Sequence, residues 1–420
     1  MREAPWPPLV RVLSVTAGRA AAQRALPLYL GVLLGASVLF EGSGVRPADV
    51  VARALEGRCE RLLLYAAWAV VSLPALRALL TTPSSFFLRT LPVARWRVLA
   101  VQGAGLLLAE VPWAYLWLRG GGPGVGAAAI TAAVAVAALV LTRVERWSER
   151  IAALALAGAL WIGCDWPLLL GLSLPTAGLA VQRVWLRAPE LRAGRARAWR
   201  GGPAVLGLAS SYGLLLWRQA RAQWLRALGF SLLALVVAYF AVRNVRPASG
   251  AELLGLSLSL LSPALILGSA GLSGPLLRIE AQLGWLLAVS GVSRRTEQLA
   301  RLAPLALTGL SLATLHAGAL VLALRLSLQL GLELVLLEAA AALLLSLVVS
   351  WLARWAVRGD GSDAGRLLFG VSGLLLGATA SLIWFGPVAL LGWVPLAALS
   401  TIERRRRQRL ALALQSQLEK

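Results

Sequence analysis

The sequence predicts an all-α, polytopic membrane protein of about twelve transmembrane helices, arranged as two pseudo-symmetric six-helix halves. Three observations carry that prediction. Hydrophobic residues make up 59% of the 420 positions and charged residues only 14%, with a mean hydropathy of +0.75. Apolar runs approaching the roughly 20 residues that cross a bilayer recur along the whole chain, too many to share one soluble core. Arginines gather at the ends of these runs, where anionic headgroups attract them.

Taken in order, the first half gives spans near 26–43, 61–80, 98–118, 124–142, 150–164 and 167–186. A matching six follow near 227–243, 251–275, 299–323, 330–352, 366–384 and 386–402. Residues Met1 to Arg24 mix arginines with prolines and lack a small-residue cleavage site, so the first span is expected to stay as an anchor. Trp166, Trp384 and Trp393 stand beside short hairpins, where interfacial anchors belong. The fifth span of each half is short for a full crossing, so its neighbours are re-entrant or the bilayer thins there. An even number of spans puts both termini on one side. With that side taken as cytoplasmic, 33 of the 41 lysines and arginines face the cytoplasm and 8 face outward, as the positive-inside rule requires. The expected location is the bacterial cytoplasmic (inner) membrane.

The halves also correspond residue by residue at a near-constant offset. Gln23 and Gln223 each precede a first span in an Arg-rich amphipathic stretch; Pro74 and Arg77 correspond to Pro275 and Arg278; Pro92-Val93-Ala94-Arg95 corresponds to Gly291-Val292-Ser293-Arg294. The offsets are 200, 201 and 199, which suggests an internal duplication. Six spans per repeat would relate the halves by an axis along the membrane normal. The expected organisation is a first repeat over 1–187, a linker with an interfacial helix over 188–226, a second repeat over 227–402 and a basic tail over 403–420. In the linker, Trp217, Arg218, Arg221, Trp224 and Arg226 fit a helix lying at headgroup depth; a plain stop-transfer anchor fits them equally.

At the cytoplasmic junction between the second and third spans stands Arg89-Thr90-Leu91-Pro92-Val93-Ala94-Arg95-Trp96-Arg97, and the second half repeats the layout with Val292-Ser293-Arg294-Arg295-Thr296-Glu297. An interfacial helix, a long second span, a Leu-Pro-Val-x-Arg turn and then a third span together resemble the permeases of ABC type-2 exporters. The chain resembles two such six-span units fused. The resemblance covers most of the chain by layout and a few residues per half by motif. It implies that Arg89, Leu91, Pro92, Val93, Arg95 and Arg97, and in the second copy Val292, Ser293, Arg294, Arg295 and Glu297, form coupling elements that dock on cytoplasmic ATPase subunits, two copies being expected. Pro92 suits a first helical turn, Ser293 suits an N-cap, and Glu297 suits the first turn of the helix after it. Gly291 stands where the first copy has Pro92, which weakens the second docking element. Read without the resemblance, these arginines are ordinary positive-inside residues on loops.

An ionisable side chain at bilayer depth costs about 2.5–3.5 kcal/mol on insertion scales, so each needs a partner or a wet cavity. Three such groups stand out: Glu110, His316 and Glu338. His316 and Glu338 are symmetric about the turn near Ser327, so antiparallel neighbours would bring them to one depth. A hydrogen bond or ion pair between them is expected, either on a transport path or simply joining two helices. Glu110 has no acidic counterpart in the second half and is expected to face a cavity.

Several chemistries are disfavoured. Lys420 is the one lysine among 41 Lys and Arg, leaving 40 arginines, and a phosphate loop needs Gly-rich sequence followed by Lys and Ser or Thr. ATP and Mg²⁺ are therefore expected on the partner ATPase, with no cofactor bound by this chain. One histidine and two cysteines, Cys59 and Cys164, do not supply a four-ligand zinc site; the cysteines read as either free thiols or an outer-face disulfide. No nucleophile elbow lies in a strand-to-helix context, so no enzyme is expected. The net charge of +22 would suggest nucleic acid in a soluble protein; here lipids account for it, and no nucleic-acid partner is expected.

The function expected is the membrane permease of an ATP-driven exporter of amphipathic or lipid-like cargo, working by alternating access. A secondary transporter of the major facilitator type is the rival, but its Gly-x-x-x-Asp-Arg-x-Gly-Arg loop is not matched by 89–97 or 290–301. A non-transporting membrane scaffold is the third reading.

Overall fold

The computed structural model describes residues 6–42, 44–81, 94–142, 144, 146–186, 204–289, 292–356 and 363–399. Among them every regular element is helical, and nine helices are long and apolar enough to cross a membrane. Large apolar side chains point outward along these helices: Leu154 is 73% exposed and Leu322 81%. A soluble protein rarely leaves so much apolar surface uncovered, whereas lipid tails solvate it. The protein is an all-α, multi-pass membrane protein. Its chain divides into two compact units, Met1–Arg195 and Ala196–Lys420.

In the first unit, α1 (Trp6–Leu13) and α2 (Arg19–Ser37) run on through a π-helical turn at Ser14–Gly18. A second π-turn, Val38–Gly42, ends the rod. A short amphipathic helix, α3 (Pro47–Glu56), then leads into α4 (Arg58–Thr81), the most buried helix of the unit. Next come α5 (Arg95–Ala109), α6 (Val111–Thr142), α7 (Trp147–Ile162) and α8 (Trp166–Leu186).

The third expected span, 98–118, is a broken helix. It is made of α5 and the start of α6, with Glu110 at the joint in a non-helical conformation (φ −91°, ψ 1°). Helix α6 itself folds back on Gly122, whose φ of 83° favours glycine. In a straight helix Trp113 and Ala129 would lie roughly 24 Å apart; instead the Trp113 Nε1–H donates to the Ala129 carbonyl at 3.0 Å. The expected third and fourth spans thus meet in a hairpin. The second arm is rich in buried alanines, including Ala128, Ala132, Ala135 and Ala138, which let its backbone approach α8 closely. Thr131 and Ser173 hydroxyls bridge that contact at 2.7 Å. Helix α7 is 16 residues long, about 24 Å at 1.5 Å per residue, shorter than the roughly 30 Å hydrocarbon core.

The second unit begins with α9 (Ala204–Gln219) and α10 (Arg221–Val245), separated by a break at Ala220. The Trp217 and Trp224 rings meet edge to face across that break, 5.9 Å apart. The aromatic-basic stretch expected as one helix therefore spans two, the second being the start of a crossing helix. Helix α11 (Gly250–Val289) is long and carries Pro263 and Pro275; α12 (Arg294–Leu324) and α13 (Leu328–Ala356) follow as a hairpin. The last hairpin joins α14 (Asp363–Phe385) to α15 (389–399) through a 3-10 turn, Gly386–Val388. Trp393 closes it by donating to Ser381 Oγ at 3.2 Å. Around α11 the unit buries Leu258, Leu265, Ile266, Leu345, Val349 and Leu382 in one core.

The difference between twelve expected spans and nine long apolar helices follows from these hairpins and breaks. The turn at Gly386 leaves two expected spans within one continuous stretch; the third expected span is split at Glu110 into α5, too short to count, and a remainder joined to the fourth; and α7 is also too short.

Candidate functional site

Helix α4 presents Tyr65 and Trp68 toward α6, whose first arm carries Trp113 and Trp117. The Trp68 and Trp113 rings stack 5.4 Å apart and 10° from parallel, and Tyr65 closes edge-on against Trp113 at 5.1 Å. Tyr29 from α2 stacks on the other side of Trp68 at 6.0 Å. Each such pair contributes about 0.5–1.5 kcal/mol beyond area burial. Glu110, fully buried, sits at the helix break beside this cluster. Its Oε2 accepts a hydrogen bond from the Trp68 indole N–H, and Tyr29 Oη donates to the neighbouring Ala109 carbonyl at 2.8 Å. Glu110 Oε1 has no hydrogen-bond partner. The residue expected to face a cavity instead ties the broken third helix to the second, because at a helix break both the side chain and the freed backbone need polar partners.

In the second unit, α12 and α13 bring His316 and Glu338 together. His316 Nδ1 lies 3.2 Å from Glu338 Oε2, and both side chains are fully buried. His316 Nε2 and Glu338 Oε1 have no partners. The buried ionisable group in the third expected span of each unit thus turns to a different neighbour: Glu110 to Trp68 on α4, His316 to Glu338 on α13. Arg325 takes a left-handed conformation (φ 53°) at the end of α12, and Glu333 accepts from Gln329 at 3.1 Å.

Of the predicted coupling residues, Arg89, Leu91, Pro92 and Val93 lie outside the described residues. Arg95 opens α5; Arg97 lies within the same first turn, its guanidinium 5.4 Å from the Trp96 ring centroid. In the second unit Val292 precedes the N-cap Ser293, whose hydroxyl accepts from the Thr296 N–H at 3.2 Å. Arg294 and Arg295 are the first helical residues, and Glu297 lies in the first turn, where a negative charge favours the helix dipole.

Sequence reasoning missed a clasp just beyond each junction. In the first unit Gln102 Nε2 on α5 donates to the Leu79 carbonyl on α4 at 3.1 Å. In the second, Arg301 Nη1 on α12 donates to Glu280 Oε1 on α11 at 2.8 Å. Gln102 and Arg301 are 199 positions apart, Leu79 and Glu280 201, the same spacings that relate the two junctions and the two Pro-Arg pairs. Both donors are almost fully buried. The second helix pair of each unit is thus pinned at equivalent places by different chemistry, and the available signal was the offset itself.

Arg61 is a further unforeseen anchor. Its Nε donates to the Ala54 carbonyl at 2.8 Å, Nη2 to Leu55 at 2.6 Å and Nη1 to Leu160 at 2.8 Å. One guanidinium thereby satisfies orphan carbonyls at the C-terminal ends of α3 and α7. Gly163 ends α7 at φ 81°, and an added Cβ there would lie 2.4 Å from the Arg61 guanidinium. Cys59 and Cys164, nearby in sequence, are both free thiols. Among the described residues no group of three or more His, Cys, Asp and Glu side chains is placed to hold a metal ion.

In comparisons with known proteins, no family model, no curated protein and no solved structure matches this chain.

Proposed function

We propose that this chain is the membrane-spanning permease of an ATP-driven (ABC) exporter, two six-span repeats fused in one polypeptide, that moves amphipathic or lipid-like cargo by alternating access. ATP and Mg²⁺ belong to separate cytoplasmic ATPase subunits that dock at the two junctions. The reading places the chain in a bacterial cytoplasmic membrane, both termini inside, with lipids as its surroundings.

The observation that carries the reading is the doubled clasp. A coupling element has to pass motion to the spans without bending, and the helices flanking each junction are pinned together one to three turns inside it, by Gln102 with Leu79 and by Arg301 with Glu280. The Ser293 cap stiffens the second junction at its helical end. A loop that merely connects two spans has no need of such bracing at both equivalent positions.

The test is purification of the full chain from its native membrane, with and without Arg95→Glu combined with Arg294→Glu. The wild-type chain should bring down a Walker-type ATPase, and the charge reversals should cut its recovery about tenfold, a loss of some 1.4 kcal/mol. Recovery unchanged by both reversals, or no associated ATPase, would overturn the assignment.

A further inference from the structure

Between α5 and α8 in the first unit runs an apolar slot of about 640 Å³, within the roughly 300–1,000 Å³ of small-molecule sites. Leu99, Gln102 and Gly103 line one wall; Pro175, Gly178 and Leu179 line the other. The slot is open because of its glycines: a Cβ built on Gly103 or Gly178 meets nothing within 4 Å. Gln102 closes the inner side of its wall and is only 3% exposed. Its Nε2 is committed to the Leu79 carbonyl, while its Oε1 is buried without a donor.

At its arginine-bearing end the slot adjoins a second hollow of about 270 Å³ through shared Leu179 and Gln182. Arg146, Ser148, Glu149 and Arg183 line it. Glu149 accepts from Arg183 Nε at 3.0 Å, so among the described lining residues two guanidiniums stand against one carboxylate. Trp147, 76% exposed, flanks it as an interfacial aromatic does.

We propose that the α5–α8 slot and its arginine mouth form a binding site for an anionic phospholipid. The acyl chain lies along Leu99, Gly103, Pro175 and Gly178. The phosphate sits at Arg146 and Arg183, since guanidinium donors match phosphate oxygens. The site rests on the first unit alone and stands whether or not an ATPase drives the chain.

The test reconstitutes the full chain in vesicles of equimolar phosphatidylglycerol and phosphatidylcholine, then reads the lipid retained after detergent extraction by native mass spectrometry. Phosphatidylglycerol, the anionic lipid of the pair, should be retained preferentially. Gly178→Leu, which fills the slot, should lower its retention about tenfold, the effect of some 1.4 kcal/mol. Gly158→Leu adds the same bulk at an equally open glycine on α7 and should leave retention unchanged. Arg146→Gln should reduce the preference for phosphatidylglycerol over phosphatidylcholine, and it keeps the test alive if Gly178→Leu fails to fold. Retention without headgroup preference, equal loss in both glycine variants, or an Arg146→Gln protein with wild-type preference would mean annular lipid only and overturn the proposal.

Discussion

Removing His316 and Glu338 singly and together measures what one buried polar contact contributes inside this membrane protein. Each single alanine variant leaves its former partner buried in an apolar interior, a cost of about 1–3 kcal/mol, to which the vacated volume adds. The double variant leaves neither group behind, so its loss should fall short of the sum of the singles. The shortfall is the coupling, expected at about 1 kcal/mol: cycles for helix-to-helix hydrogen bonds in a membrane protein average about 0.6 and reach about 1.7. The present contact is at 3.2 Å with both groups fully buried, which places it toward the upper part of that range. For a unit of this size, 1 kcal/mol corresponds to about 2–4 °C in midpoint temperature. The double variant should therefore melt about 2–4 °C above the additive expectation. The assay is thermal unfolding of the four proteins in one detergent at one scan rate, because unfolding of such proteins is often irreversible. Glu338→Gln preserves an acceptor for His316 Nδ1 and should lose less than Glu338→Ala. Strictly additive losses would refute the inference that the observed contact is energetically real.

Three further outcomes follow from the first unit. Arg61→Gln should destabilise it by about 3 kcal/mol, two lost charge-assisted bonds at roughly 1.5 each, and Gly163→Ala by about 1–3 kcal/mol from its left-handed backbone and clash with the guanidinium; melting within 1 °C of wild type for either would show that the three-carbonyl clamp is not a stabilising anchor. Trp68→Phe strips Glu110 of its indole donor and should cost about 1–3 kcal/mol, most of it regained when Glu110→Leu is added; a double variant worse than the sum would contradict the pairing. In intact cells a membrane-impermeant maleimide should label Cys59, which is exposed, because the proposed orientation puts it outside. Labelling after lysis alone would reverse the topology.

Much of the helical architecture was legible because bilayer crossing imposes one-dimensional rules: a minimum apolar length, charges at the ends and glycine or proline at turns. Those rules also put His316 and Glu338 at matching distances from the turn near Ser327, and the structure joins them. They were blind to what happens when a helix breaks. Glu110 reads from sequence as an isolated acid, yet the break at its own position starts a new helix arm whose Trp113 and Trp117 pack onto Tyr65 and Trp68 of α4. The regular i to i+3 and i to i+4 spacing of those aromatics was a usable hint.

By itself the sequence determined that this chain is helical and membrane-embedded, because apolar content and segment length are properties of consecutive residues. It also held the spacing of 199 to 201 that makes Gln102 equivalent to Arg301 and Leu79 to Glu280, without saying that Gln102 touches Leu79 or that Arg301 touches Glu280. Tertiary structure alone decided the partners: which carbonyls Arg61 satisfies, which indole holds Glu110, and where two glycines leave a slot between α5 and α8. Inside a bilayer no water competes for buried polar groups, so each must find a partner across helices far apart in the chain, and that choice depends on rotation and depth rather than on order along the sequence.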